Sequence, residues 1–271
     1  MSVLDDIIVG VKEDLQDRKS AVSTLQLRDT AAAAAPALDA FAALGGNDAP
    51  RAHLRVIAEV KRKSPSKGDL AHIPDPSVLA RSYADGGAAV ISVLTEQRRF
   101  GGSLQDLDAV RSSVQVPLLR KDFTVDAYQV LEARAHGADL ILLIVAALSD
   151  AQLTELMGLS HELDMNVLVE AHTVEEVERA VAANARIIGV NVRNLKTLDV
   201  DRSVFASLAA TIPSGSLIVA ESGVRDVADV ELFASLGANA ILVGEALVRN
   251  NNPQEAIETF SRAGAAVIAN R

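Results

Sequence analysis

Eight short apolar runs, evenly spaced between residues 55 and 243, constrain the fold of this 271-residue chain more than any other feature. The runs are nearly continuous in Val, Ile and Leu, which is typical of parallel strands that helices cover on both faces. Amphipathic segments separate them, which gives eight strand-then-helix units of about 27 residues each. We expect strands at residues 55–60, 88–94, 117–121, 139–145, 166–170, 187–192, 217–221 and 240–243.

Eight consecutive units predict a single closed (β/α)8 barrel, the TIM barrel, because a doubly wound sheet seldom needs eight strands of such even spacing. Helix-ending glycines such as Gly137 and Gly237 precede several of the runs and support the repeat. Cap signals mark helix starts at Ser149, and at Thr173 with Glu176 as a capping box. The predicted helices include residues 76–85, 127–135, 150–163, 174–183 and 227–236.

The first 54 residues lie outside this repeat and predict an N-terminal helical extension packed on a barrel domain of residues 55–271. Residues 3–18 form one amphipathic pattern and the Ala-rich residues 31–44 another, and residues 45–50 predict a loop into the first strand. Such an extension could close the bottom of the barrel. It could equally cap the active end and help to enclose a substrate. The residues leave both positions open.

Composition excludes several classes of function. The chain has no cysteine, which excludes disulfides, thiolate metal sites and cysteine nucleophiles. Its five histidines have no metal-ligand spacing, so we expect no metal site. Neither a GxGxxG fingerprint nor a P-loop occurs, and we expect no cofactor. The formal net charge of −10 argues against a nucleic-acid partner.

The apolar segments of the chain predict its cellular location. No apolar run is long enough to span a bilayer, and the first residues lack the basic and apolar regions of a secretory signal. We therefore expect a soluble cytoplasmic protein with no membrane partner. The acidic helices show no large apolar patch, so a monomer acting on a small molecule is the expectation.

Charged or amide side chains end nearly every predicted strand. In a barrel these carboxyl ends face the active site, and Glu59 and Lys61 project to the same face of the first strand. Acids and bases interleaved in this way push pKa values apart and supply proton donors and acceptors at neutral pH. The cluster predicted from the strand ends consists of Glu59, Lys61, Lys121, Glu170, Asn191, Arg193 and Glu221.

Two glycine-rich turns indicate a phosphate site. Ser222 and Gly223 follow the seventh strand and Gly244 and Glu245 the eighth, which is where barrels bind phosphate with backbone N–H groups and a short helix. The hydroxyl of Ser64 could form a third side of this cradle. The carboxylate of Glu245 would have to point away from a phosphate.

One histidine lies close to this cluster in sequence. His172 comes two residues after Glu170. We interpret it as a loop histidine without a role in the chemistry.

With these residues in view, the chain resembles the indole-3-glycerol phosphate synthase family from about residue 50 to residue 250. The N-terminal helices fit the extension typical of that family. Together the matching motifs are highly specific. They are Ala58-Glu59-Val60-Lys61-Arg62-Lys63-Ser64-Pro65-Ser66, Leu119-Arg120-Lys121-Asp122-Phe123, Leu168-Val169-Glu170, Gly189-Val190-Asn191-Val192-Arg193-Asn194-Leu195 and Ala220-Glu221-Ser222-Gly223.

The resemblance implies a carboxy-lyase of tryptophan biosynthesis. Its substrate would be 1-(2-carboxyphenylamino)-1-deoxyribulose 5-phosphate, which closes its ring with loss of carbon dioxide and water. The family pattern assigns the general acid to Lys121, with Lys61 as the rival, and the proton acceptor to Glu170. Glu59 would orient Lys61 or relay protons.

The remaining residues would bind the substrate. By the same resemblance, Glu221 and Asn191 would bind sugar hydroxyls or the anilino nitrogen. Arg193 and Lys61 suit the substrate carboxylate, and Phe100 and Phe123 its aromatic ring. The other expected substrate-binding residues are Ser64, Leu195, Ser222, Gly223, Gly244 and Glu245.

Two alternatives stay open at this point. One is a non-catalytic barrel that binds a sugar phosphate or serves as a scaffold. The other is a different sugar-phosphate enzyme similar to phosphoribosylanthranilate isomerase. That family generally uses a cysteine as its base, and this chain has none.

Overall fold

The computed structural model describes residues 2–47, 53–65, 68–194, 197–249 and 252–269. In this part of the chain, eight parallel strands pair in chain order, and the last pairs with the first to close a barrel. The predicted TIM barrel is confirmed, with strand bounds within two residues of those expected. The strands are β1 Arg55–Val60, β2 Val90–Leu94, β3 Leu118–Lys121, β4 Leu140–Ile144, β5 Asn166–Ala171, β6 Ile187–Asn191, β7 Leu217–Glu221 and β8 Ala240–Val243.

Helices precede the barrel and alternate with its strands. Before β1 lie α1 Val3–Ala21, α2 Thr24–Ala33 and α3 Ala40–Ala43. None of the helices in the described ranges has the length and apolar character needed to cross a membrane. The helices after β1 are α4 Pro76–Asp85, α5 Leu104–Arg111, α6 Ala127–Ala135, α7 Asp150–Glu162, α8 Val174–Ala182, α9 Val204–Ala209, α10 Val227–Ser235, α11 Glu245–Val248 and α12 Pro253–Ala269.

The helix caps agree with the sequence at one position and depart from it at another. Ser149 and Gln152 form a full capping box at the start of α7. At the start of α8, Thr173 Oγ1 accepts the N–H of Glu176 (3.2 Å) as predicted. The Glu176 carboxylate, however, accepts the backbone N–H of His172 (2.7 Å), so the predicted reciprocal half of this box is wrong. Glu176 is thereby turned toward the end of β5.

The strand register sets an apolar layer inside the barrel and a polar layer above it. The inward-facing apolar residues form one buried cluster, which includes Ile57, Leu119 and Leu168. One step further along the strands, β6 pairs Asn191 with Glu221 of β7, and Gly189 with Glu170 of β5. Because side chains alternate along a strand, these polar groups point inward just above the apolar layer.

The N-terminal extension closes both ends of the barrel. Phe41 of α3 is buried in the cluster that fills the barrel bottom, and the Arg186 guanidinium lies 3.7 Å from its ring centroid. The Phe41 N–H also donates to Asn166 Oδ1 at the start of β5 (3.0 Å). At the opposite end, Val3 and Ile7 of α1 line the pocket above the strands. The two positions that the sequence left open are therefore both occupied, by different helices.

Ion pairs hold α1 over the active end. Arg98, in the segment after β2, bonds Glu13 (2.6 Å) and Asp14 (2.6 Å). Arg18 lies 3.0 Å from Glu132 of α6. Side chains of opposite charge thus fix both the middle and the end of this helix.

The helix expected over residues 31–44 is wrong. The chain leaves α2 after Ala33 and enters α3 at Ala40, with extended backbone at Ala34. Pro36 explains the break, because proline lacks an N–H and disfavours helical backbone in the residue before it. The extended segment bonds the barrel instead, with the Leu38 N–H donating to Asp139 Oδ1 (2.8 Å). Residues 48–50 of the predicted loop lie outside the described residues.

Candidate active site

A pocket opens at the carboxyl ends of the strands, and it brings together the residues predicted from separate parts of the sequence. Leu195 alone among them lies outside the described residues. Residues of α1 and the interior apolar layer complete the pocket wall. The predicted residues that line it are Glu59, Lys61, Ser64, Phe100, Lys121, Phe123, Glu170, Asn191, Arg193, Glu221, Ser222, Gly223, Gly244 and Glu245.

Lys121 occupies the centre of the charged cluster. Its Nζ lies 3.7 Å from Glu170 Oε2 and 3.7 Å from Glu221 Oε2. Burial acts to lower the pKa of Lys121, but the charges of Glu170, Glu221 and Glu59 outweigh it and raise that pKa. The half-buried lysine is therefore an ammonium group at neutral pH, held in that state by the acids around it.

Glu170 and Glu221 flank this ammonium, and their pKa values are shifted in opposite directions. Burial acts to raise the pKa of Glu170, but Lys121 and then His172 outweigh it and hold that pKa at about 2. Burial, and then the neighbouring charge of Glu170, raise the pKa of Glu221 well above its usual value. The two pKa values are thus shifted in opposite directions, so Glu170 gives up its proton more readily than Glu221.

Gly189 makes room for this pair of acids. A Cβ at this position of β6 would overlap Glu221 Oε1 and press on Leu168. Within the described residues, Glu221 Oε1 and Glu170 Oε2 are buried without a hydrogen-bond partner. Buried polar oxygens of this kind are costly unless a ligand or water bonds them. They face the pocket as acceptors and donors for a bound molecule.

Lys61 has a different environment from Lys121. Its Nζ forms a close ion pair with Glu59 Oε2, on the same face of β1. Burial acts to raise the pKa of Glu59, but Lys61 and Lys121 lower it. The Tyr83 hydroxyl of α4 donates to the Glu59 carbonyl (3.2 Å) and fixes the strand behind the pair. Lys61 is thus matched with its own carboxylate, whereas Lys121 faces two acids.

A buried network supports the end of β3 between Lys121 and Phe123. The Arg120 side chain is 1% exposed and donates to Thr95 Oγ1 (3.1 Å) and Asp122 Oδ2 (2.9 Å). Asp122 Oδ1 in turn accepts the Phe123 N–H (2.8 Å). No local sequence pattern indicates this network, because its members bond across two strands.

Phe100 and Phe123 form an aromatic wall beside the lysine. Their ring centroids lie 6.0 Å apart with an interplanar angle of 41°. Phe123 also packs on the apolar interior of the barrel. Together with Val3, Leu4 and Ile7 of α1, these rings give one side of the pocket an apolar surface suited to a planar ring.

Asn191 and Arg193 end β6 on the opposite side. Asn191 Oδ1 accepts the N–H of Arg193 (3.0 Å), and Arg193 Nη1 donates to the Leu198 carbonyl (2.8 Å). These bonds hold the guanidinium at the pocket wall. A planar guanidinium in such a position can bind a carboxylate through two hydrogen bonds.

The glycine-rich turns meet at a third side of the pocket. Ser222 and Gly223 both have positive φ, 66° and 78°. A Cβ at Gly244 would lie 3.1 Å from the Glu59 carbonyl oxygen, so the chain passes close to β1 there. Glu245 Oε1 lies 2.5 Å from Arg249 Nη2 one turn later, which pairs its charge with a cation. Backbone N–H groups in tight turns of this kind bind anions.

The contacts of His172 were not predicted from the sequence, which indicated only a loop histidine. It follows β5 in a turn, as expected, but its side chain is only 11% exposed. Its Nε2 lies 3.3 Å from Glu170 Oε1 and its Nδ1 3.0 Å from Glu176 Oε2. Burial acts to lower the pKa of His172, but these two carboxylates outweigh it and raise that pKa to about 10. The spacing of Glu170, His172 and Glu176 was the available signal.

The described residues contain no group of three or more His, Cys, Asp or Glu side chains placed to hold a metal ion. The charged side chains of the pocket pair with each other instead.

A closed barrel with buried lysines and carboxylates at the carboxyl ends of its strands defines a (β/α)8-barrel enzyme that works by acid–base chemistry. Solved structures share this fold. The 3-hexulose-6-phosphate synthase of Salmonella typhimurium is similar with a TM-score of 0.66 and 14% identity, over 79% of this chain and 100% of that one. The thiamine phosphate pyrophosphorylase of Pyrococcus furiosus has a TM-score of 0.62 and 14% identity, over 80% of this chain and 98% of that one. At this identity the likeness shows the fold alone.

Sequence comparisons define the family. The profile described as indole-3-glycerol phosphate synthase matches residues 4–260. The indole-3-glycerol phosphate synthase of Paenarthrobacter aurescens (strain TC1) is 70% identical over 271 residues, with both chains fully covered. That of Micrococcus luteus is 58% identical over 267 residues, covering 98% of this chain and 100% of the relative. The chain belongs to the indole-3-glycerol phosphate synthase family.

Proposed function

We propose that this protein closes the indole ring of 1-(2-carboxyphenylamino)-1-deoxyribulose 5-phosphate, releasing carbon dioxide and water, in tryptophan biosynthesis. The observation that carries the proposal is the Lys121 ammonium, 3.7 Å from each of two carboxyl groups whose pKa values are shifted in opposite directions. Such a group can protonate a ketone oxygen while an adjacent carboxylate accepts a proton.

The three sides of the pocket match the three parts of this substrate. The turns at Ser222, Gly223 and Gly244, with Ser64, would bind the phosphate through N–H and hydroxyl groups. The wall of Phe100 and Phe123 would hold the anilino ring. Bound in this way, the substrate would place its ketone over Lys121. Fixing a flexible sugar phosphate in one reactive geometry supplies a large part of the rate enhancement.

The carboxylate of the substrate would lie between Lys61 and Arg193. The close ion pair of Lys61 with Glu59 leaves one cation partly neutralised, while Arg193 is held by backbone contacts. Among the described residues, the cationic side chains that line the pocket are Lys61, Lys121 and Arg193, and these would bind the anionic groups of the substrate despite the net charge of the chain. Asn191 and Glu221 would bind sugar hydroxyls or the anilino nitrogen.

In the reaction, the ring carbon that bears the carboxylate attacks the ketone carbon as Lys121 protonates the ketone oxygen. Loss of carbon dioxide restores the aromatic ring. Lys121 regains a proton from solvent and gives it to the hydroxyl formed from the ketone, which leaves as water. Glu170 takes the proton that the substrate releases as indole forms. When Lys121 gives up its proton it also loses its charge, so the pKa of Glu170 rises when Glu170 must act as base.

The same residues support Lys121 over Lys61 as the general acid. Lys121 faces two carboxyl groups without a close contact to either, whereas Lys61 is bonded to Glu59. Lys121 Nζ lies 3.7 Å from each carboxyl group, so it can reach a ketone oxygen without breaking a short ion pair. Glu59 would therefore orient Lys61 toward the substrate carboxylate.

We further propose that the protein works in the cytoplasm as a monomer without a cofactor, and that residues 1–54 and 55–271 form one structural domain. The packing of α1 and α3 on the two ends of the barrel supports the single domain. Size-exclusion chromatography with light scattering would measure the mass, for which we expect that of one 28.5 kDa chain. A dimer mass would contradict the monomer.

The experiment that tests the proposed function is turnover of the anilino-deoxyribulose phosphate, followed by indole absorbance and by release of carbon dioxide. We expect both products in equal amounts. Binding of the substrate without either product would instead favour a barrel that binds a sugar phosphate without catalysis.

A further inference from the structure

We propose that His172 is a positioning residue, which holds the carboxylate of Glu170 in its orientation and ionised state, and that Glu176 holds His172 from the other side. This proposal rests on the proposed function for the role of Glu170 as base. The two oxygens of Glu170 meet different cations: Oε2 lies 3.7 Å from Lys121 Nζ, and Oε1 lies 3.3 Å from His172 Nε2. The two oxygens are thus in ion-pair contact with cations on two different elements, and this attraction favours one orientation of the carboxylate.

Glu176 fixes both the backbone and the ring of His172. Its Oε2 accepts the backbone N–H of His172 (2.7 Å) and lies 3.0 Å from His172 Nδ1. The Glu176 backbone is itself held by Thr173 at the start of α8. The imidazole therefore lies between two carboxylates. Its Nδ1 bonds Glu176, and its Nε2 is in ion-pair contact with Glu170 without a hydrogen bond.

The charges around the three residues support a cationic ring. The carboxyl groups of Glu170 on β5 and Glu176 on α8 face the imidazole at 3.3 Å and 3.0 Å. Behind Glu170 lie Lys121 on β3, Glu221 on β7 and Glu59 on β1, and the pKa of Glu221 is raised by burial and by the charge of Glu170. When Lys121 loses its proton to the substrate, His172 becomes the remaining cation in contact with Glu170. It then keeps the base oriented through the second half of the reaction, as third groups orient bases in other active sites.

The test compares His172→Leu, His172→Gln and Glu176→Gln with the wild type in steady-state kinetics from about pH 3 to 9, a range that starts low because the pKa of Glu170 in the wild type is about 2. In His172→Leu, we expect kcat to fall about 10-fold and its acidic limb to move up by about one pH unit, since loss of a cation within 4 Å raises a carboxyl pKa. KM should change less than about 2-fold, because the residue touches no substrate group. His172→Gln keeps an amide donor and should restore part of kcat.

A merely structural role would give different results. If His172→Leu lowered kcat equally at every pH, or left the acidic limb unmoved, the proposal would be overturned. Far-UV circular dichroism and the melting temperature check that each variant folds. Residue 176 contacts the imidazole from outside the pocket. In Glu176→Gln we therefore expect the acidic limb to move in the same direction by a smaller amount. The matched control is His161→Leu, on the exposed face of α7, which should leave kcat and its pH profile unchanged.

A second readout separates this proposal from the proposed function. NMR of the imidazole resonances without substrate follows each histidine, and His172→Gln identifies the resonance of His172. We expect His172 to stay protonated above pH 8 in the wild type and to lose its proton at lower pH in Glu176→Gln. A wild-type His172 that titrates near its ordinary pKa would overturn the proposal. Absence of turnover in the wild type would contradict the proposed function, and the NMR result would still decide the role of Glu176.

Discussion

Glu170 and Glu221 are identical side chains whose pKa values shift in opposite directions in the barrel. Glu170 lies between the cations Lys121 and His172, whereas Glu221 lacks the second cation and lies near the charge of Glu170. A site that separates two carboxyl groups in this way holds an acid and a base within one pocket. The separation depends on Gly189, because a side chain at that position would overlap Glu221.

The substitution Glu221→Gln should stabilise the folded protein at neutral pH. The pKa of Glu221 in the folded protein lies above its ordinary value of 4.5. As the pH rises above that value, Glu221 ionises more readily in the unfolded chain, which lowers the stability of the folded protein. A glutamine does not titrate. We therefore expect its gain in the free energy of unfolding to be present at about pH 8 and to be much smaller at about pH 4.

Urea unfolding followed by circular dichroism at the two pH values measures this gain. The control is Glu231→Gln on the exposed side of α10. An equal gain at both pH values would show that the pKa of Glu221 is not raised. Activity should fall in the same variant, because the amide cannot share protons with Glu170.

The residues of the site were more predictable than the contacts between them. Strand ends are readable from apolar runs, so Glu59, Lys121 and Glu221 could be assigned to one pocket from the sequence alone. His172 could not, because its role arises from Glu176 four residues later, whose side chain was expected to cap a helix. The Glu176 side chain bonds His172 instead of capping the helix.

Among the elements, α1 is part of the active site without carrying a charged group into it. It contributes Val3, Leu4 and Ile7 to the pocket and is held over it by the ion pairs of Arg98 with Glu13 and Asp14. Gly10 of α1 leaves room for the Arg98 side chain. The helix therefore encloses the substrate only while these contacts hold it in place.

The substitution Arg98→Ala should raise KM by about 2- to 5-fold and leave kcat nearly unchanged, because exposed ion pairs contribute little and act here on binding. Salt screens exposed charges, so at about 1 M sodium chloride the wild-type KM should approach that of the variant. Initial rates at low and high salt measure both effects. The control is Arg81→Ala on α4, away from α1. A KM for Arg98→Ala that equals the wild-type value at low salt would contradict this role of α1.

Secondary structure was predictable where one factor dominated. Strands buried on both faces are continuous in apolar residues, and their bounds were correct within two residues. The Ala-rich stretch 31–44 favoured a helix by composition, but Pro36 breaks it. The broken segment then bonds the barrel through Leu38 and Asp139, which no local pattern indicates.

In the molecule as a whole, the extension seals the bottom of the barrel and covers its top. The sequence could place residues 1–54 outside the repeat, but it could not choose between the two ends. The choice depends on shape: Phe41 fits the barrel bottom beside Arg186, and α1 fits over the pocket. We therefore expect the α3 end of the extension to contribute to stability and α1 to enclose the substrate.

The substitution Phe41→Ala should lower the free energy of unfolding by about 3–5 kcal/mol, since it leaves a cavity in a buried aromatic position. The site lies at the other end of the strands, so kcat at 25 °C should stay within about 2-fold of the wild-type value. Urea unfolding and initial rates measure the two quantities. Val9→Ala, at an exposed position of α1, is the control for both. A large loss of kcat without loss of stability would contradict a role of Phe41 in stability alone.

The central claim is that Lys121, between Glu170 and Glu221, is the general acid, and that Lys61 binds the substrate carboxylate. The most direct test measures kcat and KM for indole formation in Lys121→Ala and Lys61→Ala. We expect Lys121→Ala to lose about 10²- to 10⁴-fold in kcat, and Lys61→Ala to act mainly by raising KM. If Lys121→Ala kept the dehydration step while Lys61→Ala abolished it, the roles assigned to the two lysines would be wrong.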